Sequence, residues 1–343
     1  MTAWNETEMR PSWISLFAGL AGVVASVGCN HLPLSAAYPG PKQRPPEFVE
    51  RYQFAQLPEL TLTNGAPQDR EEYLVRRITV QMENKFADHL RINFYEQKAD
   101  GKFPLLVLST ILSDPNDALA RLCALYFARN GYNCAIITRG ANKLDVNVPL
   151  GDLEEWQRAM LRDYAAAKKV LTREPKVDAA RMGTFGFSYG ALNNTVLAGT
   201  DDSYQAHIIG LAGGPLYEVL ARSHELQVRL FMLEYCRKHN CTPEQFIEQW
   251  KRLDADPLKL APHIDARKVL LVLSRFDWIV PYDNGCKLRH AMGDPETLVL
   301  FAGHYTAIPY LAYVLPQSLK FFDRRLGVAR GPSRTATTPS QEK

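Results

Sequence analysis

The segment Gly186–Gly190, with the sequence GFSYG, places one serine between two glycines at a fixed spacing. Residues 181–185 before it suit a short buried strand, and residues 191–198 after it suit a helix. A serine on so tight a turn is held in a strained backbone conformation. Strand and helix then pass very close two residues to either side of it, where only small residues fit. The segment therefore predicts a nucleophile elbow that exposes the hydroxyl of Ser188 beside the first N–H groups of the helix.

Two later apolar runs each lead into a residue that can act together with Ser188. Residues 268–274 are typical of a buried parallel strand, and Asp277 follows them; residues 296–301 form the next predicted strand, and His304 follows in its loop. All three side chains are thus predicted at the carboxyl ends of strands, where the active sites of parallel sheets lie. In this arrangement His304 would take the proton of Ser188, and Asp277 would orient the imidazole.

Other residues could fill these roles. Asp277 could be a loop cap, in which case Asp283 or Asp265 would serve as the acid. His304 is favoured among the eight histidines because it alone follows the last predicted strand. Trp278 and Tyr305, beside the acid and the base, could line a pocket or belong to the core.

Strand and helix signals alternate along most of the chain. Strands are predicted at 73–80, 91–96, 105–108, 133–138 and 207–211, and long helices at 117–130 and 153–171. The alternation predicts an α/β fold with a mostly parallel sheet and helices on both faces. Residues 215–263 interrupt it with two predicted helices, the second of which begins at a capping box on Thr242. We predict that this insertion is a lid over the pocket; a plain packing pair of helices is the alternative.

Several of these segments together resemble a known superfamily. Residues 185–191, Asp277–Pro281 and the pair Gly303-His304 look like an α/β-hydrolase, and residues 177–183 are similar to its dienelactone-hydrolase and prolyl-oligopeptidase-like branches. The resemblance covers residues 70–327. It implies the α/β-hydrolase fold and acyl transfer without a cofactor.

The oxyanion hole of such an enzyme would be built from two backbone N–H groups. One would belong to Tyr189 and the other to Ile111, with Thr110 as the alternative to Ile111. Two departures from the superfamily pattern bear on this site. Ala191 stands where a second glycine is often found, and Ser109-Thr110 replaces a common His-Gly pair, which leaves the geometry of the oxyanion loop open.

A serine nucleophile indicates the hydrolysis of esters or amides. We predict a carboxylesterase that acts on a small-molecule or lipid ester. A serine peptidase or amidase is the first alternative, because the Ser-Tyr-Gly elbow resembles the prolyl-oligopeptidase branch. The second alternative is a hydrolase-fold lipoprotein that binds a ligand without turnover, because the Ser109-Thr110 loop could misplace an oxyanion donor.

The amino-terminal region has the features of an export signal. Residues 12–28 are 17 uncharged, mostly apolar residues, and Cys29 follows them. Residues 1–29 resemble a bacterial lipoprotein signal, which implies lipidation of Cys29 and membrane anchoring in the cell envelope, on the periplasmic or outer-membrane side. An uncleaved anchor or soluble export is the alternative. Because Met9 begins a conventional basic leader, we predict that it, rather than Met1, is the true start.

The flanking segments are predicted to lie outside the compact fold. Residues 30–69 form an extension, of which 30–48, with five prolines, is predicted to be an extended tether. The polar tail 328–343 is predicted to be disordered.

Composition excludes some classes of function. The net charge is only +3 and the basic residues are scattered, so nucleic-acid binding is disfavoured. No C-x-x-C or H-E-x-x-H pattern occurs, and we therefore predict no metal. Among the six cysteines, Cys236 and Cys241 are close enough in sequence to form a disulfide in an oxidising compartment, although free thiols are the default.

Overall fold

Eleven strands form one mixed sheet in this computed structural model, which describes residues 29–52, 54, 57, 59–112, 116–140 and 144–329. The strands are β1 (Asn30–Leu32), β2 (Leu62–Asn64), β3 (Gln68–Asp69), β4 (Tyr73–Asn84), β5 (Ala87–Gln97), β6 (Phe103–Ser109), β7 (Asn133–Arg139), β8 (Val177–Phe187), β9 (Ala206–Gly210), β10 (Val269–Ser274) and β11 (Glu296–Leu300). Their order is β1-β11-β10-β9-β8-β6-β7-β5-β4-β2, with β3 also paired to β4. The predicted signal segment 1–28 and the tail from 330 lie outside the described residues.

The centre of the sheet is parallel and its margins are antiparallel. Strands β7, β6, β8, β9, β10 and β11 run parallel to one another, whereas β5, β4, β2 and β1 pair antiparallel with their neighbours. The central strands β9 and β10 are buried along their whole length, which requires cover on both faces. The prediction of an α/β fold with a mostly parallel sheet is confirmed.

Ten α-helices accompany the sheet in the described residues. They are α1 (Pro46–Tyr52), α2 (Ala118–Arg129), α3 (Leu153–Leu171), α4 (Tyr189–Thr200), α5 (Leu216–Arg222), α6 (Leu226–His239), α7 (Pro243–Arg252), α8 (Pro257–Leu260), α9 (Tyr282–Ala291) and α10 (Leu311–Leu326). Helices α2 and α10 bury their apolar sides on one face of the sheet, where the ring of Phe127 packs edge-on against Phe185 and Phe322. Helices α3, α4 and α9 cover the other face. None of the described helices has the length and apolar character needed to cross a membrane.

The insertion between β9 and β10 contains four helices, α5 to α8, rather than the two that were predicted. Its capping box forms as expected: the hydroxyl of Thr242 accepts from the N–H of Gln245, whose side chain accepts from the N–H of Thr242. Phe246 and Trp250 on α7 pack with Phe231 on α6 in an aromatic cluster of the insertion itself. The insertion is therefore a small helical layer that shares its core with Val148, Leu153 and Trp156 of the main fold.

The prediction of an extended tether over 30–48 is wrong. Strand β1 extends the sheet at β11, and Arg44 makes two hydrogen bonds of 2.8 and 2.7 Å to the carboxylate of Asp202. The hydroxyl of Tyr38 donates to the carbonyl of Ile264 at 3.2 Å. Prolines disfavour a helix before Pro46, where α1 begins, but an edge strand offers unpaired backbone groups that hold such a segment against the domain.

Candidate active site

Ser188 lies at the junction of β8 and α4 with φ 52° and ψ −124°, a backbone conformation that is strained for a residue with a side chain. The two flanking glycines explain how the turn is accommodated. A Cβ on Gly186 would lie 2.8 Å from the backbone carbon of Gly190, and a Cβ on Gly190 would lie 2.6 Å from the carbonyl oxygen of Ser109. The strand, the turn and the loop after β6 thus meet where only glycine fits. Strain of this kind costs about 1–3 kcal/mol and is typical of functional sites.

The structure brings Ser188, His304 and Asp277 into one hydrogen-bonded chain. The hydroxyl of Ser188 lies 2.9 Å from Nε2 of His304, and Nδ1 of His304 lies 2.7 Å from Oδ2 of Asp277. The other oxygen of Asp277 accepts from the N–H groups of Ile279 and Val280, each at 2.9 Å. The carboxylate therefore holds a proton on Nδ1 and leaves Nε2 free to accept from the serine.

The side chains of His304 and Asp277 are both buried. The side chain of His304 is 8% exposed and that of Asp277 is 2% exposed. Burial of the carboxylate is tolerated because each of its oxygens has a donor, and water cannot compete for the imidazole. The geometry is that of a nucleophile, a general base and an orienting acid.

The alternative acids are engaged elsewhere. The carboxylate of Asp283 accepts two hydrogen bonds from Arg222, at 2.6 and 3.0 Å, and Asp265 pairs with Arg267. His207 is also remote from this chain of bonds: it is buried in the core, 3.0 Å from the hydroxyl of Thr184. Asp277 is thus the carboxylate that contacts His304.

Ser188 and His304 line a cavity of about 160 Å³, which lies between the strand ends and the insertion. Its walls are almost entirely apolar. They include Leu112, Trp156, Met160, Leu192, Val196, Leu211, Leu216, Val219, Leu220, Val228, Trp250, Ile279 and Leu311. The insertion therefore does lie above the strand ends and roofs the cavity; that it opens and closes as a lid stays a prediction.

The two predicted oxyanion donors, Tyr189 and Ile111, line this cavity together with Ser188. Tyr189 is the first residue of α4, so that its N–H belongs to a helix N-terminus. Thr110, the alternative donor, is buried and does not line the cavity. The arrangement favours Ile111 over Thr110 as the second donor.

A sequence profile of the prolyl oligopeptidase family matches residues 124–308, a segment that contains Ser188, Asp277 and His304. The chain belongs to this family. It is accordingly a serine hydrolase with the α/β-hydrolase fold, as the resemblance implied. No curated protein matches the sequence.

Solved structures of other hydrolases have the same fold as this chain, although their sequence identity to it is low. Acetyl xylan esterase 1 from Thermoanaerobacterium sp. JW/SL YS485 is 16% identical with a TM-score of 0.57, over 84% of this chain and 99% of that one. An acetyl xylan esterase from Paenibacillus sp. R4 is 14% identical with a TM-score of 0.57, over 93% and 96%. The acylaminoacyl peptidase of Pyrococcus horikoshii is 17% identical with a TM-score of 0.56, over 77% of this chain but only 44% of its own. At these identities the likeness concerns the fold.

A buried polar network beside the elbow was not found by sequence reasoning. The hydroxyl of Ser109 donates to Oδ1 of Asn194 at 2.8 Å and lies 2.9 Å from the hydroxyl of Tyr164. This network joins the end of β6 to helices α4 and α3. Burial raises the pKa of Tyr164 to about 12, so this phenol stays protonated and can donate to Ser109. The sequence feature that could have indicated this network is the presence of Ser109-Thr110 in place of the common His-Gly pair.

The remaining titratable clusters add no metal site. Within the described ranges, no group of three or more His, Cys, Asp or Glu side chains could hold a metal ion. Cys236 and Cys241, for which a disulfide was left open, are both free thiols in the structure.

Proposed function

We propose that the protein hydrolyses carboxylic esters with an apolar acyl group through an acyl-enzyme on Ser188. The observation that carries the proposal is the unbroken chain of hydrogen bonds from Ser188 through His304 to Asp277 at the wall of an apolar cavity. Transfer of a hydrocarbon chain from water into an apolar cavity is favourable by about 25 cal/mol for each Å² of apolar surface that is buried.

The proposed reaction uses these groups in sequence. Ser188 attacks the ester carbonyl while Nε2 of His304 takes its proton, and Asp277 stabilises the imidazolium that forms. The N–H groups of Tyr189 and Ile111 receive the developing oxyanion. His304 then passes the proton to the leaving alcohol. In the second half of the reaction, Nε2 of His304 takes a proton from water, which attacks the acyl-enzyme, and returns that proton to Ser188 as the carboxylic acid leaves.

Labelling with a fluorophosphonate probe tests the nucleophile directly. We expect the full chain to be labelled, Ser188→Ala and His304→Ala to lose the label, and the matched controls Ser35→Ala and His224→Ala to keep it. A folded full chain that is not labelled would contradict the proposal. It would favour the non-catalytic alternative, in which the fold binds a ligand without turnover.

A serine peptidase or amidase is the second candidate. Membership of the prolyl oligopeptidase family favours it, and so does Glu225, the one carboxylate among the described residues that line the cavity. A carboxylate at this place could pair with the ammonium group of an aminoacyl substrate.

Paired substrates separate the two activities. We expect kcat/KM for p-nitrophenyl butyrate to exceed that for alanine p-nitroanilide, and Glu225→Gln to leave the ester rate within about twofold. Faster turnover of the anilide, lost in Glu225→Gln, would show that the peptidase candidate is the correct one.

We also propose that the protein is anchored in a bacterial cell envelope by lipid on Cys29. The uncharged stretch 12–28 before this cysteine supports the proposal. Incorporation of labelled palmitate into the full chain, and its loss in Cys29→Ser but not in Cys286→Ser, is the expected result. An unlabelled chain in the soluble fraction would contradict it.

A further inference from the structure

Large exposed apolar side chains are concentrated at one place on the described surface. Eight of the ten such side chains lie on three segments that also contribute residues to the cavity wall, whereas Leu62 and Leu122 lie on β2 and α2. The eight are Leu226, Leu230 and Leu233 on α6, Phe276 and Trp278 after β10, and Phe301, Tyr305 and Ile308 after β11. We call these eight residues the mouth surface. Trp278 is 66% exposed, which is unusual for a large aromatic side chain.

The members of the mouth surface come from three segments that contact one another. The N–H of His224, just before α6, donates to the carbonyl of Trp278 at 3.1 Å. The hydroxyl of Tyr305 donates to Glu225, and the rings of Phe276 and Phe301 pack edge-on with centroids 4.6 Å apart. The surface is therefore continuous from α6 to the loops after β10 and β11. Contiguous exposed apolar surface on this scale marks an interaction site.

The mouth surface is also continuous with the cavity. Tyr305 and Ile308 belong to the surface and line the cavity as well. Whatever covers the surface therefore faces the opening that leads to Ser188.

The described part of the chain begins at the same edge. Strand β1 runs antiparallel to β11 with Asn30 opposite Val299, so that Cys29 lies at the carboxyl end of β11, next to Phe301. Cys29 packs with Tyr310 and Tyr313 against the core, and the hydroxyl of Tyr310 donates to the carbonyl of Phe301 at 3.2 Å. The uncharged stretch 12–28 directly precedes Cys29 in the sequence. A segment suited to lipid thus joins the domain beside the exposed aromatic side chains.

The charges on α6 complement an anionic surface. Arg229, Arg237 and Lys238 are exposed on this helix, against the single exposed carboxylate Glu234. Leucines on one side of a helix with basic residues beside them are typical of helices that lie in a lipid interface, with their apolar side about 5–10 Å below the headgroups. Trp and Tyr are suited to the same depth, since each has an apolar ring and a polar tip.

We infer that the mouth surface docks on a lipid bilayer and directs the cavity toward the membrane. The substrate would then be a lipid ester that enters the cavity from the bilayer without crossing water, a step that rests on the proposed esterase function. The docking itself is independent of turnover, because none of Leu230, Leu233 and Trp278 lines the cavity.

Fluorescence quenching tests the docking. The full chain is mixed with vesicles of phosphatidylcholine and phosphatidylglycerol, part of the phosphatidylcholine carrying brominated acyl chains. Trp278→Phe isolates the signal of this residue from the other four tryptophans. We expect the quenched part of the emission to fall in Trp278→Phe. Vesicle-bound protein with unquenched Trp278, or full chain that does not bind vesicles, would overturn the inference.

Substrate presentation provides the second test. Leu230→Glu with Leu233→Glu should lower hydrolysis of a long-chain ester held in vesicles roughly tenfold or more, because two apolar contacts with lipid become carboxylates. Turnover of soluble p-nitrophenyl acetate should stay unchanged. The matched control carries Leu62→Glu with Leu122→Glu, on β2 and α2 outside the mouth surface, and should keep both activities. Equal loss in both double variants would overturn the inference.

Two further outcomes are distinguishable. If the full chain hydrolyses neither ester, the proposed function fails, whereas Trp278 quenching still decides the docking. If the full chain is a dimer in sedimentation without vesicles, and only Leu230→Glu with Leu233→Glu makes it monomeric, the surface binds a second copy and the membrane inference is overturned.

Discussion

The hydroxyl of Ser109 lies 2.9 Å from that of Tyr164, so the last residue of β6 is tied to a helix on the far side of the elbow. The same serine donates to Asn194, and its carbonyl is the group that excludes a side chain from Gly190. Ser109 therefore holds the loop that carries Ile111 against the elbow, where a shift of the backbone would displace the N–H of Ile111, the predicted oxyanion donor.

Ser109→Ala should accordingly lower kcat more than it raises KM. We expect a loss on the order of tenfold in kcat, since the donor becomes misplaced but is not removed. Unfolding in urea should show a loss of about 1–3 kcal/mol from the broken network. Ser35→Ala, on the surface, is the control. An unchanged kcat with lowered stability would show that the network is structural only.

Asp277→Asn tests the role of the buried acid. The amide oxygen can still accept from Ile279 and Val280, but the negative charge beside His304 is lost. We expect kcat for a soluble ester to fall by about 10⁴-fold with little change in the unfolding midpoint, because the wrong imidazole tautomer is favoured. Asp283→Asn should retain activity, as Asp283 pairs with Arg222. Equal effects of the two variants would refute the assignment.

The three central residues could be predicted from sequence because each directly follows a strand that is recognisable by itself. Buried parallel strands are continuous apolar runs. Strand β10 is one of them, and Asp277 comes three residues after its last residue, Ser274. The steric requirement for glycine around Ser188 involves only the five residues 186–190. Short-range patterns of this kind can be recognised without knowledge of the tertiary structure.

The features that were missed depend on contacts between distant parts of the chain. Ser109 and Asn194 meet across 85 positions, and no spacing relates them. Strand β1 has only three residues, too few for an alternating pattern, and its partner β11 is over 260 residues away. The prolines of 30–48 led to the prediction of an extended tether, but the edge of the sheet determined where the segment lies.

His207 predicts an acid-sensitive core. Burial, with a smaller contribution from the charge of Lys268, lowers the pKa of His207 from 6.5 to about 3. Below about pH 6.5 the unfolded chain takes up a proton here while the folded chain does not, so stability falls as the pH falls from 6.5 toward 3.

The expected slope is about 1.4 kcal/mol per pH unit. His207→Gln keeps an amide that can bond Thr184 but does not titrate. Between pH 7.5 and 5, the free energy of unfolding should fall by about 2 kcal/mol less in this variant than in the unmodified chain. The same fall in both proteins, measured by urea unfolding, would show that His207 does not titrate in this way.

Gln157 places an amide oxygen in the wall of the cavity. Its Oε1 is buried in the cavity wall and has no hydrogen-bond partner within the described part of the chain, as is true of Nε1 of Trp250. Because this oxygen is already withdrawn from water, its missing hydrogen bond costs the folded chain about 1–3 kcal/mol whether or not an alkyl chain fills the cavity. Gln157→Leu removes that cost from the folded chain.

We therefore expect Gln157→Leu to raise the free energy of unfolding in urea by about 1–3 kcal/mol. The ratio of kcat/KM for p-nitrophenyl decanoate to that for p-nitrophenyl acetate should stay within about twofold. Gln81→Leu, at an exposed position on β4, should leave both quantities unchanged. If the ratio falls instead in Gln157→Leu, the amide binds a polar group on the decanoate side of the cavity or orders its wall. In that case the natural acyl group would carry a hydrogen-bonding substituent, because a buried amide rejects a ligand that leaves it unpaired.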